Sequence, residues 1–256
     1  MRCRICHLAK GSLCGMKTKK CTAIVLAAGK GKRMGTEVAK QYLLLGERPV
    51  LAHALQTFED SFIDDVILVT APEEIDYCRK EIVERYGFSK VAMIVAGGAE
   101  RYHSVACGLQ KAAGCDYVFI HDGARPMVDC EMLSRLYTAV EEYGTAIAAM
   151  PVKDTVKIAD ENGFAKSTPD RRLVWQMQTP QVFAYEPIRD AYEKLLANEA
   201  ETIRQGIHVT DDAMVMETFG TLPVKFVEGS YRNIKITTPE DLKIAQSLLQ
   251  MREGTD

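Results

Sequence analysis

Between Ala23 and Tyr42 the sequence sets four cations among three glycines. Ala23-Ile24-Val25-Leu26 is an apolar run of the kind that forms a buried strand. Ala27, Ala28 and Gly29 follow, then Gly31 and Gly35, with Lys30, Lys32, Arg33 and Lys40 among or just after them. Small residues let the backbone turn tightly and present bare N–H groups to an anion. Cations beside them neutralise its charge, so the combination is a polyphosphate grip. A dinucleotide fingerprint needs G-x-G-x-x-G, whereas Gly29, Gly31 and Gly35 give G-x-G-x-x-x-G. A P-loop needs Ser or Thr after Gly-Lys, and Arg33 follows Gly31-Lys32. A dinucleotide pyrophosphate is held largely by backbone N–H groups and a helix N-terminus. Lys and Arg in the loop itself suit a triphosphate that breaks at phosphorus. A plain strand-to-helix turn with solvated lysines explains the cations but not their coincidence with the glycines.

The elements that must hold this grip alternate along the chain. Helical spacing runs from Pro49 through Phe58, and Asp65 to Thr70 reads as a second strand. Pro72 to Tyr86 is a helix, Val91 to Val95 a third strand ending at Gly97-Gly98, and Arg101 to Ala113 a helix. Tyr117 to His121 is a fourth strand, Asp129 to Tyr143 a helix and Thr145 to Met150 a fifth strand. The pattern predicts an α/β fold, a single Rossmann-like and mostly parallel sheet with helices on both faces. Ligands in such sheets sit at the carboxyl ends of the strands, where the Gly29 loop, Gly97-Gly98 and Asp122 fall.

The alternation breaks from 152 to 178. Val152 to Ile158 alternates like an exposed strand, Asp160-Glu161-Asn162-Gly163 is a turn, and Leu173 to Gln178 resembles a returning strand. A hairpin leaving the sheet must bury its apolar side, so a protruding β-arm used for homodimerisation is expected. Beyond it a helix is expected from Glu186 to Ala197, a polar segment to Gly206, and a helix capped by Thr210 or Asp211. Strands at Val224 to Val227 and Ile234 to Ile236 precede a closing helix from Pro239 to Met251.

At 256 residues and 47% hydrophobic content the chain suits one large domain, assigned to 21–251, with a short tail at 252–256. A net charge of −3 argues against a nucleic-acid or membrane-surface binder, and no apolar run has the length of a membrane span. Of eight cysteines, Cys78, Cys107, Cys115 and Cys130 read as reduced thiols of a cytoplasmic protein. Cys3, Cys6, Cys14 and Cys21 crowd the start. Cys3-Arg4-Ile5-Cys6-His7 fits a haem-attachment pattern, but no apolar stretch signals export, and the four-cysteine spacing matches no standard zinc finger. Residues 1–20 are therefore expected to be a disordered leader, with Met16 an alternative natural start.

The motifs in order resemble a known family. They are Leu26-Ala27-Ala28-Gly29, Gly31-x-Arg33-Met34, Lys40-Gln41-Tyr42, Gly97-Gly98 with Glu100-Arg101 and Ser104-Val105, and His121-Asp122-Gly123-Ala124-Arg125-Pro126. Asp154-Thr155, Thr179-Pro180-Gln181, Thr210-Asp211-Asp212 and Asn233-Ile234-Lys235-Ile236-Thr237 complete the set. Over about residues 22 to 250 the chain is similar to the 2-C-methyl-D-erythritol 4-phosphate cytidylyltransferases of non-mevalonate isoprenoid synthesis. The resemblance implies transfer of a cytidylyl group from CTP to that polyol phosphate with Mg²⁺. No Ser/His/Asp or Cys/His arrangement is evident, and none is needed, because the attacking group is already a phosphate oxyanion.

By resemblance Arg33 and Lys40 stabilise the five-coordinate α-phosphorus. Ala27, Ala28, Gly29 and Lys30 wrap the nucleotide, and Gly97, Gly98 and Ser104 read cytosine and ribose. Asp122 and Gly123 lie near nucleotide and metal, with Asp122 the metal ligand, and Arg125 supports the loop or a phosphate. Thr155, Arg171 and Lys235 position the polyol phosphate, the first two in trans from a partner's 152–178 arm. The chain departs from the family pattern in three places. Ala39 replaces a common Pro, Arg232 a common acid, and His121-Asp122-Gly123 a common Asp-Ala sequence. Rival readings are a ribitol-5-phosphate cytidylyltransferase and, in another class, an NAD-dependent oxidoreductase.

Overall fold

The computed structural model describes residues 19–29 and 39–253. The expected leader up to residue 18, with Met16, lies outside the described residues, as do Lys30, Gly31, Lys32, Arg33 and Gly35 and the last residues of the tail. Lys20 pairs with Asp65 at 2.7 Å and leads into the first strand.

Seven strands form the central sheet. In chain order they are β1 (Cys21–Leu26), β4 (Asp65–Thr70), β5 (Val91–Ala96), β6 (Tyr117–Asp122), β7 (Thr145–Pro151), β10 (Trp175–Ala184) and β11 (Phe226–Glu228). The spatial order is β11-β7-β10-β6-β1-β4-β5. β1 runs parallel to β4 and β6, β4 to β5, and β11 to β7, while β10 is antiparallel to both β6 and β7. The sheet is thus mostly parallel, as the alternating pattern requires. Two short hairpins stand apart, β2 (Leu44–Leu45) with β3 (Arg48–Pro49) and β8 (Ile158–Ala159) with β9 (Ala165–Ser167).

Each strand of the middle of the sheet is buried on both faces, which is why its sequence is a continuous apolar run. Ala23 and Val25 point to one face, against Leu51, Leu55 and Phe58 of α1 (Val50–Asp60) and Leu133 and Leu136 of α4 (Cys130–Tyr143). Ile24 and Ile120 point to the other, against Val105 and Leu109 of α3 (Arg101–Lys111) and Ile188 and Tyr192 of α5 (Tyr185–Ala197). Burying each such side chain contributes about 1.5–3 kcal/mol, so the two layers lock the strand ends in register. Between β4 and β5 a 3-10 turn at Pro72–Glu74 leads through α2 (Ile75–Tyr77) into a π-helical stretch at Cys78–Glu84. The predicted helix over 72–86 is therefore helical, but wound more widely than expected.

Four expectations are corrected. Val152 to Lys157 is not a strand: Val152 N–H donates to Val174 O at 3.1 Å and Lys153 O accepts from Arg171 Nη1, but ladder pairing begins only at Ile158. The returning strand begins at Trp175, after a 3-10 turn at Arg171–Leu173, and runs on to Ala184. The polar segment before Gly206 contains α6 (Glu199–Arg204), a short helix with few apolar residues to announce it. Ile234 to Ile236 is not a strand: Ile236 is buried beside Leu45 and Ala245, the latter on α8 (Pro239–Glu253). Its N–H donates to Ala124 O at 2.9 Å outside any ladder. Asp211 rather than Thr210 caps α7 (Asp212–Phe219), accepting from Met214 N at 3.0 Å.

Candidate active site

The turns that follow β6, β1 and β5 meet at the carboxyl edge of the sheet, with β4 lying between β1 and β5. Each chain turn there is small-sided for a visible reason. After β1, Ala27 N–H donates to Val69 O at 2.7 Å and Ala27 O accepts from Gln41 Nε2 at 2.6 Å. That second bond ties the 3-10 turn Lys40–Tyr42 to the exit of β1 and so sets Lys40 beside it. Tyr42 anchors the turn from below, its hydroxyl 2.8 Å from Glu74 Oε2 and 3.0 Å from Thr70 Oγ1. After β5, Gly97 N–H donates to Thr70 O, and Gly98 N–H donates to Ser104 Oγ at 3.2 Å. A Cβ on Gly97 would stand 2.6 Å from Ser104 Oγ and 2.9 Å from Ala28 Cβ, so two loops meet only because a glycine is there. Gly123 plays the same part after β6, with a virtual Cβ 2.8 Å from Leu51 and its N–H on Leu26 O.

These turns enclose a cavity of about 220 Å³. Ala27, Ala28 and Gly29 line one wall with Lys40; Gly98 and Ser104 line another; Asp122 and Lys235 close it. The structure therefore gathers eight of the expected site residues at the carboxyl ends of the sheet. Gly97 and Gly123 shape the walls without lining them. Thr155 and Arg171 lie on the 152–178 arm and do not line the cavity; Arg171 Nη1 donates to Lys153 O at 2.8 Å. Lys30 and Arg33 are outside the described residues.

Charge is concentrated on Asp122, which is buried. Lys235 Nζ lies 2.8 Å from Oδ2, Arg101 Nε 3.4 Å from Oδ1 and Arg125 Nε 3.7 Å from Oδ2. Burial alone would raise its pKa, but Arg101, Lys235 and Arg125 outweigh that and hold it well below the usual carboxylate range. Arg101 is itself gripped from behind by buried Asp212, through bonds of 2.8 and 2.7 Å. Burial opposes the guanidinium charge, yet Asp212 and Asp122 push its pKa further above the ordinary arginine value. Arg125, expected to support a loop or a phosphate, supports a loop: Nη1 donates to Asn233 O at 2.8 Å. Asn233 Nδ2 in turn donates to Thr179 O at 2.8 Å, so the segment bearing Lys235 is moored without a strand.

Several residues of the sequence motifs turn out to support the site from behind. Thr179 Oγ1 accepts from Asp122 N–H at 3.0 Å, and Gln181 joins Asp211 to Ala213 N. Arg101 and Asp212 are far apart in sequence and paired in space. Glu100 and Gln41 were not singled out as cavity residues, and a polar residue next to a loop motif was the available signal.

Among the described residues no group of three or more His, Cys, Asp or Glu side chains forms a metal cage. Asp122 and Glu100 are the acids at the cavity. One carboxylate with substrate phosphates suits Mg²⁺, which keeps waters and seldom uses an all-protein cage. Asp122 fits that donor set.

A family profile described as IspD, 2-C-methyl-D-erythritol 4-phosphate cytidylyltransferase, matches residues 21–251. The chain is 47% identical over 232 residues to the protein of that name from Lachnoclostridium phytofermentans, covering 91% of this chain and 97% of that one. It is 48% identical over 229 residues to the namesake from Syntrophotalea carbinolica, covering 88% and 94%. Its fold is similar to the crystal structure of 4-diphosphocytidyl-2C-methyl-D-erythritol synthase from Anaerococcus prevotii, with TM-score 0.78, 37% identity, and 91% and 96% coverage.

Proposed function

The chain belongs to the 2-C-methyl-D-erythritol 4-phosphate cytidylyltransferase family and transfers a cytidylyl group from CTP to that polyol phosphate, and we propose that the cavity between β1, β5 and β6 is where it does so. The observation that carries this reading is the convergence of three strand ends on one polar cavity. Small-residue turns, Lys40, Lys235 and Asp122 all face it.

The reaction joins two anions. An oxygen of the polyol phosphate forms a bond to the α-phosphorus of CTP as the bond to the β-phosphate bridge breaks, releasing pyrophosphate. The nucleophile arrives deprotonated, so no base is required; the barrier is repulsion and misalignment. Lys40 and Arg33 stabilise charge on the α-phosphoryl oxygens. Ala27, Ala28, Gly29 and Lys30 take the nucleotide on one side, while Gly97, Gly98 and Ser104 receive the pyrimidine and ribose. Asp122 would hold Mg²⁺ brought with CTP, and that ion, when bound, supplies further neutralisation of the triphosphate.

Lys235, Thr155 and Arg171 position the polyol phosphate, the last two from the arm of a second subunit. Support for a homodimer comes from the arm's uncovered apolar side chains: Phe164 is 73% and Leu173 80% exposed. No helix among the described residues is long and apolar enough to cross a membrane. Use of CTP and five described cysteines without disulfides support a cytoplasmic site of action.

Pyrophosphate release from CTP and Mg²⁺ with 2-C-methyl-D-erythritol 4-phosphate, against ribitol 5-phosphate, tests the substrate. A crystal soaked with a cytidine nucleotide tests the site. Density anywhere other than over Ala27–Gly29 overturns the assignment of the cavity.

A further inference from the structure

Asp122 has no idle oxygen. Its side chain is 10% exposed, and three cations already face it, one of them at 2.8 Å. A divalent ion approaching that carboxylate meets like charge first. The three cations differ in their freedom to yield. Arg101 is clamped by both oxygens of Asp212, which is itself buried and accepts from Tyr192 Oη at 2.6 Å. Arg125 is only 12% exposed and is tied to Asn233 O. Lys235 is 36% exposed, lines the cavity and carries its ammonium on a flexible four-carbon stem. The backbone to either side of it is fixed, by Asn233 Nδ2 on Thr179 O and by Ile236 N–H on Ala124 O. Only the side chain is left to swing.

We propose that Lys235 is a stand-in counter-ion for Asp122, and that it surrenders the carboxylate when CTP arrives with its divalent ion. Asp122 exchanges an ammonium for a metal, and the freed ammonium turns into the cavity to meet the incoming polyol phosphate. One carboxylate thereby couples occupancy of the nucleotide subsite to presentation of the phosphate-binding cation. This rests on the reading of the cavity as the nucleotide site.

The test uses the full chain, Mn²⁺ as the divalent ion and CTP without polyol phosphate. Binding of Mn²⁺ is followed by electron paramagnetic resonance. Replacing the competitor, Lys235→Met, is expected to tighten Mn²⁺ binding in the CTP complex about two- to fivefold, the equivalent of one half-exposed ion pair. Lys235→Gln is the second variant should the first fail to fold. A second readout follows the Lys235 amine of the wild-type protein, by its acetylation rate in mass spectrometry. That rate should rise severalfold with Mn²⁺ and CTP together, and stay at the free-enzyme value with CTP in chelator. Equal or weaker Mn²⁺ binding in both variants, or an amine no more reactive in the ternary complex, overturns the exchange. If CTP fails to bind, the nucleotide-site reading falls and takes the exchange with it. If CTP binds and pyrophosphate is released but the amine does not respond, the exchange fails alone.

Discussion

The turn that carries Lys40 is held by its neighbours. Gln41 hooks the turn to Ala27 O and Tyr42 roots it on Thr70 and Glu74. Truncating Lys40 therefore removes a charge while leaving the scaffold that holds it. Lys40→Ala should lower kcat about 10²–10³-fold, the cost of losing one preorganised charge at a developing oxyanion. CTP affinity should stay within a few-fold by calorimetry, and full activity in the variant would refute the role. His121 makes a separate prediction. Asp122 N–H donates to Thr179 Oγ1, so the Thr179 hydroxyl donates to His121 Nδ1, while His121 Nε2–H donates to Arg125 O. That pattern requires a neutral ring, and burial lowers its pKa to about 4 from an ordinary 6.5. Between those values the unfolded chain binds the extra proton, so stability is complete above pH 6.5 and falls as pH drops toward 4, by about 3 kcal/mol. The depressed Asp122 carboxyl acts below its ordinary 3.8, outside this window. Urea midpoints measured across pH 4 to 6.5 should fall more steeply for the wild type than for His121→Asn. Parallel slopes would show that another group dominates.

The turns after β1 and β5 predict contrasting effects of a single methyl group. At Gly97 a Cβ collides with Ser104 and Ala28, whereas at Gly29 it meets nothing within 4 Å among the described residues. Gly97→Ala should force the two loops apart, lowering Tm and raising KM for CTP roughly tenfold. Gly29→Ala should lower Tm less than Gly97→Ala yet still raise KM for CTP, because Gly29 lines the cavity proposed for the nucleotide. Unchanged KM in both would remove these turns from the site. The same elements show what could be read from residue order. Strands β1, β4 and β6 are buried on both faces, and β5, though a half-exposed edge strand, keeps an apolar run, so the sequence declares all four. Their carboxyl ends, and hence Gly29, Gly98 and Asp122, followed from alternation alone. Lys235 is legible through the family resemblance, but its support is not legible from residue order. Ile234-Lys235-Ile236 alternates like a strand, yet its bonds go to Ala124 and, through Asn233, to Thr179. The pairing of Arg101 with Asp212 is also unreadable from order, since nothing in spacing reports a contact 111 positions apart. Helix α6 escaped notice because its burial rests on Thr202 rather than on an apolar stripe.

Assembly bears on whether one chain holds a complete site. The cavity presents Lys40 and Lys235, but Thr155 and Arg171 stand on an arm whose apolar residues Phe164 and Leu173 are exposed and Ile158 half-exposed. Leaving such groups in water forfeits the transfer free energy that burial would return, about 25 cal/mol per Å², so a second arm or domain is the natural cover. If each site takes Lys40 from one subunit and Arg171 from the other, two inactive variants should repair one another. In a Lys40→Ala/Arg171→Ala heterodimer one site collects both defects and the other collects neither. A statistical mixture should then recover about a quarter of wild-type turnover, since half the dimers are mixed and half their sites intact. Pyrophosphate release after unfolding and refolding the variants together measures this, with tagged subunits and native mass spectrometry to count mixed dimers. Sites built within one subunit predict no recovery, however complete the mixing, because every subunit would carry a defect of its own. A parallel Leu173→Asp substitution should weaken dimers seen by sedimentation while leaving CTP affinity intact, since Leu173 is remote from the turns that form the cavity.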